Sequence, residues 1–232
     1  MSKEIFKVCG ERMRTLVIGD IHGQYMAMRI ALERAGYDCK YDRLIVLGDE
    51  CDGGEDTYKV IDYLTHQTNV INLKSNHSEW FINYINTTVE LPVWVQQGGY
   101  ATLYSYEREN YGVVPQRHID YLKRAIPYYI DHKNRIFVHG GFKPNISLES
   151  QDIEDIIWDR QLIEYARDNI IHDFNHVYVG HTTTVYYGST KPITFNNLTM
   201  MDTGAGFPAG YLSVMDVDTY EIWQSDIIQD RC

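Results

Sequence analysis

Six short apolar runs punctuate the chain, and nearly every one ends on an Asp, Asn or His beside a glycine or other small residue. The runs are TLVIG (15–19), RLIVLG (43–48), NVINL (69–73), RIFV (135–138), HVYVG (176–180) and LTMM (198–201). They lead into GDIHG, GDECDGG, KSNH, HGG, GHT and DTGAG. Apolar runs this short, bounded by turn residues, read as buried strands. Helical patterns separate the first three. QYMAMRIALERAG places Met28, Leu32 and Ala35 on one stripe and stops at Gly36; DTYKVIDYLTHQ does the same with Tyr58, Ile61 and Leu64 behind an Asp56/Thr57 cap. The opening is therefore βαβαβ, which implies a parallel sheet covered by helices. Such a sheet collects the loops that follow its strands along one edge, so polar residues distant in sequence converge there.

From about Ser78 to Pro127 the pattern turns mostly helical, with SEWFINYIN behind an N-cap Ser78, then WVQQGGYATLYSYERE and PQRHIDYLKRAIP. These helices are expected to cap one face of the sheet. Trp80, Phe81, Tyr84 and Tyr104 fall at helical spacing and read as core. YLSVMDV and YEIWQS alternate about Asp218 and Thr219 and read as a terminal hairpin. No repeat or linker divides the chain, so residues 1–232 read as a single α/β domain with a helical segment near 78–127.

Charge and cysteine usage narrow the function classes. A net charge of -11 disfavours a binder of nucleic-acid backbones, which needs a basic face. Cys9, Cys39, Cys51 and Cys232 form no CxxC pair, which argues against a zinc ribbon and a disulfide framework and for a reducing compartment. MSKEIFKVCGERMR lacks a signal-peptide core, and no run reaches membrane-span length, so a cytoplasmic protein of a bacterial or phage-infected cell, without membrane partners, is expected.

The loop VLGDECDGGED crowds five carboxylates into eight positions, a density that requires a compensating cation, a basic partner or open water. A lone Asp or His after a strand is ordinary turn or core chemistry. Together, Asp20, His22, Asp49, Asn76, His139 and His181 offer three oxygen donors and three imidazoles, enough for two metal ions sharing one carboxylate. An EF-hand does not fit, because GDECDGGEDTYK lacks its alternating acids and its Glu at the twelfth position.

In this order GDIHG (19–23), GDECDGG (48–54), SNH (75–77), HGG (139–141) and GHT (180–182) resemble the motif series of the phosphoprotein phosphatase superfamily of metallophosphoesterases. With WVQQGGYATLYSY, IIWDR (156–160) and DTGAGF (202–207), the likeness is to the compact bacterial and bacteriophage branch that includes the bacteriophage lambda Ser/Thr protein phosphatase. The resemblance spans about residues 14–215 and implies a calcineurin-like four-layer α/β/β/α sandwich with two divalent ions. Asp20 and His22 would hold the first ion, Asp49 would bridge, and Asn76, His139 and His181 would complete the second. Hydroxide formed between the ions would attack phosphorus directly, without a phosphoenzyme. His77 would protonate the leaving oxygen, Asp52 would orient it and raise its pKa, and Arg160 would bind substrate phosphate. Mixed imidazole and carboxylate ligation suits Mn²⁺, Fe or Zn²⁺ better than Mg²⁺, and the resemblance favours Mn²⁺.

Two positions depart from that pattern. Gly53 stands where the family carries an arginine, which removes a charge-assisted clamp and predicts weaker phosphate binding or a changed substrate. Lys74 and Lys143 lie near motif loops but read better as surface lysines. SNHS replaces GNHE, with Glu79 one place later. The expected activity is metal-dependent phosphomonoester hydrolysis, on phosphoserine, phosphothreonine or phosphotyrosine in a protein or on small aryl phosphates. The alternatives are a symmetrical dinucleoside tetraphosphatase-like nucleotide hydrolase and, last, a non-catalytic binding protein that keeps the metal site.

Overall fold

Neighbouring residues of one strand serve different cores in this chain, and that alternation sets the layers. In the computed structural model, which describes residues 13–229, β1 (Arg14–Ile18) sends Leu16 and Ile18 into one apolar cluster and Val17 into another. After α1 (Tyr25–Arg34), β2 (Asp42–Val46) divides Leu44 and Val46 from Ile45 in the same way. α2 (Thr57–Thr65) and β3 (Val70–Asn72) complete the βαβαβ opening, and β1, β2 and β3 pair in parallel.

The helical middle comprises α3 (Asn76–Thr87), the short α4 (Pro92–Trp94), a π-helical kink at Val95–Gly99, α5 (Tyr100–Asn110) and α6 (Gln116–Lys123). Then follow β4 (Tyr128–Ile130), β5 (Arg135–Val138), α7 (Ile153–Trp158), α8 (Gln161–Asp168), β6 (His176–Val179), β7 (Ile193–Phe195) and β8 (Leu198–Met200). The hairpin of β9 (Ser213–Asp216) and β10 (Ile222–Gln224) ends the described chain.

The strands form two five-stranded sheets, ordered β10-β9-β1-β2-β3 and β4-β5-β6-β8-β7. Val17, Ile45, Phe137, Tyr178 and Met215 meet between the sheets, where the rings of Phe137 and Tyr178 stack with centroids 4.8 Å apart. On its outer face the first sheet packs against α1, α2, α3, α5 and α6 through residues such as Met28, Ile61, Phe81, Tyr106 and Leu122. The second packs against α7 and α8 through Ile156, Leu162 and Ile163. This is the expected α/β/β/α order. Phe81 is fully buried, and its replacement by Ala should cost about 3–5 kcal/mol.

Several local expectations are corrected. The N-cap of α3 lies three residues before the expected one: it is Ser75, not Ser78, with Oγ accepting from the Ser78 N–H. Asp56 precedes α2 but makes no capping bond, because its carboxylate is engaged by Lys59 and Arg108. Trp80, Phe81 and Tyr84 join the core, whereas Tyr104 lies 57% exposed beneath the Arg108 guanidinium. Strands β4 and β7 were not anticipated. Cys39 and Cys51 are free thiols, while Cys9 and Cys232 lie outside the described residues. Among the described residues no helix is long and apolar enough to cross a membrane.

Candidate metal centre and active site

The loops after β1, β2, β3, β5 and β6 converge, and the candidate residues of those loops meet in one buried cluster. Two groups of side chains are close enough to hold a cation: His22, Asp49 and His77, and Asp49, His139 and His181. Asp49 belongs to both. Asp20 stands outside these groups but against them, its Oδ2 accepting the His181 N–H at 2.9 Å. Its other oxygen lies so close to Gly180 that a Cβ there would come within 2.2 Å of it, so any larger residue at position 180 would displace the Asp20 carboxylate. Asn76 Oδ1 is 2.9 Å from His139 Nε2.

Backbone conformation marks the same loops. His22, Asp49, Asp52 and His181 all have positive φ, between 47° and 70°. Such angles cost a non-glycine residue on the order of 1 kcal/mol or more and persist only where the surroundings enforce them. Hydrogen bonds enforce them here. The Asp49 carbonyl accepts from the N–H groups of Ile21 and His22 at 3.0 and 2.7 Å, and the Asp49 N–H donates to Ser75 Oγ at 2.8 Å.

The donor chemistry fits a metal. His139 Nδ1 lies 2.8 Å from the Leu47 carbonyl, which only accepts, so the ring proton sits on Nδ1 and Nε2 presents a lone pair. That lone pair faces Asn76 Oδ1 and, at 3.4 Å, Asp49 Oδ1. Three acceptors with no donor between them call for a cation. His181 Nε2 and Asp20 Oδ1 are likewise buried without a hydrogen-bond partner. Burial lowers His22 to about 4 and His181 to about 2, and lowers His139 as well, keeping the imidazoles in the neutral form that binds metal. Burial, then the Asp202 and Asp49 carboxylates, push Asp20 well above the usual range, and burial pushes Asp202 up to about 7. A divalent cation held there would relieve that repulsion.

His77 has a different environment. Its Nδ1 is 2.7 Å from Asp52 Oδ2, and its Nε2 faces the cluster 3.9 Å from Asp49 Oδ2. Asp52 is fully buried and saturated, accepting also from Trp94 Nε1 at 2.9 Å and from Thr102 Oγ1 at 2.7 Å. Burial works against a charged His77, but Asp49 and Asp52 outweigh it and raise the imidazole above its ordinary value. Trp94 and Thr102 were not singled out in the sequence. They reach Asp52 across 42 and 50 positions, a separation that no local pattern encodes.

A cavity of about 460 Å³ opens over the cluster, lined by His22, Asp49, Asn76, His77 and His181 and walled by Gln96, Gln97, Trp158, Arg160, Tyr186 and Phe207. Arg160 donates to the His181 carbonyl and to Thr182 Oγ1 at 3.1 and 2.9 Å. Among the described residues lining the cavity it is the one Lys or Arg. Lys74 pairs with Glu79 and Lys143 with Asp155, so neither replaces the missing arginine at position 53. Gly53 itself lies on the cavity wall at φ +78°, its N–H donating to the Gly98 carbonyl. A Cβ on Gly98 would come within 2.4 Å of the Gly53 nitrogen, so glycine at 98 is needed for this close approach, while Gly99 leaves room for the Trp94 ring. The carboxylate that SNHS lacks comes from elsewhere: Ser78 Oγ donates to the buried Glu50 at 2.6 Å, while Glu79 faces outward to Lys74.

Two stacked sheets with a strand-end His/Asp cluster define a metal-dependent hydrolase architecture, and comparison with known proteins gives the family. The chain belongs to the calcineurin-like phosphoesterases, whose family model matches residues 13–215. It is 23% identical over 199 residues to serine/threonine-protein phosphatase 1 of Salmonella typhimurium, covering 82% of this chain and 86% of that one. A symmetrical bis(5'-nucleosyl)-tetraphosphatase of Buchnera aphidicola is 28% identical over 170 residues, covering 62% of each chain. Among solved structures, a metallophosphoesterase from Sphaerobacter thermophilus shares the fold with a TM-score of 0.59 at 18% identity, over 94% of this chain and 90% of that one. The protein is thus a hydrolase acting on phosphoesters, in the superfamily that includes the phosphoprotein phosphatases.

Proposed function

We propose that the protein is a two-metal phosphomonoesterase acting on phosphorylated protein side chains, with Mn²⁺ as the favoured ion and Fe or Zn²⁺ as alternatives. One observation carries the choice of substrate class. The cavity sets the His/Asp cluster and His77 beside Arg160, the one Lys or Arg among the described lining residues, with exposed aromatic rings of Tyr186 and Phe207 on its rim. One arginine suits the dianion of a monoester. A tetraphosphate carries charge along its whole length and calls for several cations. The serine/threonine phosphatase relative, matched over most of both chains, supports the same reading.

Asp20, His22, Asp49, Asn76, His139 and His181 would hold the ions, which when bound supply Lewis-acid neutralisation of the phosphoryl oxygens and an activated water. The chain's own groups do the rest. Arg160 orients the phosphate, with its guanidinium already fixed by the His181 carbonyl and Thr182. His77, held by Asp52 through Nδ1, presents Nε2–H to the leaving oxygen and delivers its proton there. Trp94 and Thr102 keep Asp52 from rotating away.

Dinucleoside tetraphosphate hydrolysis is the second reading, supported by the Buchnera relatives named for that activity. Initial rates after chelator stripping, with Mn²⁺, Zn²⁺ or Mg²⁺, test both. Metal-dependent turnover of para-nitrophenyl phosphate and of a phosphopeptide above that of diadenosine tetraphosphate supports the proposal. The reverse preference replaces it with the second reading. No turnover with any ion, in protein shown to bind two, points to a binding protein.

A further inference from the structure

A chain of hydrogen bonds runs from the cluster into the core, and its direction follows from chemistry alone. A carboxylate only accepts, so at the Glu50 end the Ser78 hydroxyl donates, to Oε2 at 2.6 Å. Ser78 Oγ then accepts from the Ser75 hydroxyl at 3.0 Å, and Ser75 Oγ accepts from the Asp49 N–H at 2.8 Å. Glu50, Ser75 and Ser78 are all buried. Tyr121 Oη donates to the other Glu50 oxygen at 3.3 Å. Each bond polarises the next in the same sense.

The chain ends on the backbone of the residue shared by both candidate cation groups, in its strained positive-φ conformation. It passes through the N-cap of α3, which also sets Asn76 and His77. An ordinary capping box places Glu three residues after the cap on the same helix. Here that position is Ser78, and the acid is supplied by the loop after β2.

We propose that Glu50, acting through Ser78 and Ser75, is the positioning residue that fixes Asp49 and the start of α3 in metal-binding geometry. The inference rests on the metal-centre reading above. Glu50 touches neither ion nor substrate in this scheme. Its role is to hold the shared carboxylate and the Asn76/His77 pair at a fixed separation.

The exchange of the two partners tests it. Glu50→Ser removes the acceptor, Ser78→Glu sets two carboxylates against each other, and the double exchange restores one acid and one hydroxyl with their positions reversed. Mn²⁺ affinity of chelator-stripped protein, by calorimetry, and the unfolding midpoint of the metal-free protein are read side by side. Each single exchange should weaken Mn²⁺ binding about tenfold to a hundredfold, and the double exchange should recover most of that loss. Glu50→Gln, whose carbonyl still accepts from Ser78, should retain the affinity. If single exchanges do not fold, Ser78→Ala and Glu50→Gln make the same comparison, with Ser78→Ala weakened and Glu50→Gln retained. Single variants that lose unfolding midpoint but bind Mn²⁺ as the unaltered protein does would reduce Glu50 to a structural residue and overturn the inference. A double exchange no better than the sum of the singles also overturns it. Unaltered protein that takes up no Mn²⁺ overturns the metal-centre reading itself, and this inference with it.

Discussion

The two sheets contribute to one cavity in opposite styles. On the first sheet's side, the loops after β1 and β2 hold His22, Asp49 and Asp52 in left-handed backbone conformations, pinned by a buried acceptor, Ser75 Oγ, and by buried donors from Thr102 and Trp94. On the second sheet's side His181 alone among the candidates is left-handed, and the neighbouring wall is open, with Trp158, Arg160 and Tyr186 in contact with solvent. Strain held by full hydrogen bonding suits atoms that must not move during chemistry. An exposed arginine among aromatic rings suits a surface that receives substrates of varied shape. The first side, together with His139 and His181 from the second sheet's loops, should therefore govern kcat and metal binding, and the open wall of the second side KM.

Breaking the first side should have the largest effects. Asp49→Ala removes the carboxylate common to both candidate cation groups, and turnover should fall by more than about 10⁴-fold together with loss of ion uptake. Calorimetric Mn²⁺ titration beside the rate assay checks it; retained uptake of two ions would show that Asp49 is not the shared ligand. His77→Asn is the sharper test. It should lower kcat by about 10²–10³-fold while KM and ion stoichiometry hold, because in the proposed mechanism Nε2 would donate to the leaving group while Nδ1 is committed to Asp52. A para-nitrophenolate leaving group, which needs little help from an acid, should be hurt less than an alkyl phosphate. Equal losses on both would remove His77 from the proton-transfer role.

The second side should answer in KM. Arg160→Ala should raise KM about tenfold to a hundredfold, the equivalent of one or two charge-assisted bonds, with a smaller change in kcat. Gly53→Arg reverses the comparison by placing a cation on the first side. A Cβ there meets only His22 Cβ at 3.7 Å and the His22 carbonyl at 4.0 Å, so space is available, although φ +78° costs about 1 kcal/mol of stability. KM for phosphate monoesters should fall about three- to tenfold. An unchanged KM would mean that Arg160 alone saturates the phosphate and that position 53 never limited binding.

The first side was also the more legible in sequence, though only in part. Its strands, parallel pairing and donor residues follow from short apolar runs and the polar residues just beyond them, because strand period and loop position are local properties. What holds those donors is not local. Glu50 meets Ser78 across 28 positions and Thr102 meets Asp52 across 50, so Ser78 looked like a helix cap and Thr102 like any helical residue. Strands β4 and β7 span three residues each at the edges of the second sheet, too short for an alternating pattern to register. Tyr104 falls at core spacing but points to solvent, since spacing identifies a stripe and not the side that is covered.

Two histidines near opposite ends of β6, one inside the strand and one beyond it, bring the comparison to a single strand. His181 lies past the carboxyl end, in the cluster; His176 begins the strand, its Nε2 2.8 Å from Thr199 Oγ1 and its ring against Tyr178 and Tyr220. Burial, aided by Arg135, lowers His176 to about 4 from an ordinary 6.5. The unfolded chain therefore takes up a proton that the folded chain refuses between those values. The stabilisation is fully present above pH 6.5 and is lost as pH falls toward 4. From pH 7 to pH 5 the loss attributable to His176 should be about 2 kcal/mol. His176→Gln retains a donor toward Thr199 without a titrating group, so urea unfolding should show a smaller acid loss by that amount. The two proteins should be compared with ions present, which keeps the cluster histidines from titrating in the folded state. Parallel loss in both proteins would place the acid sensitivity in the cluster histidines, and strand position would no longer separate the structural imidazole from the functional one.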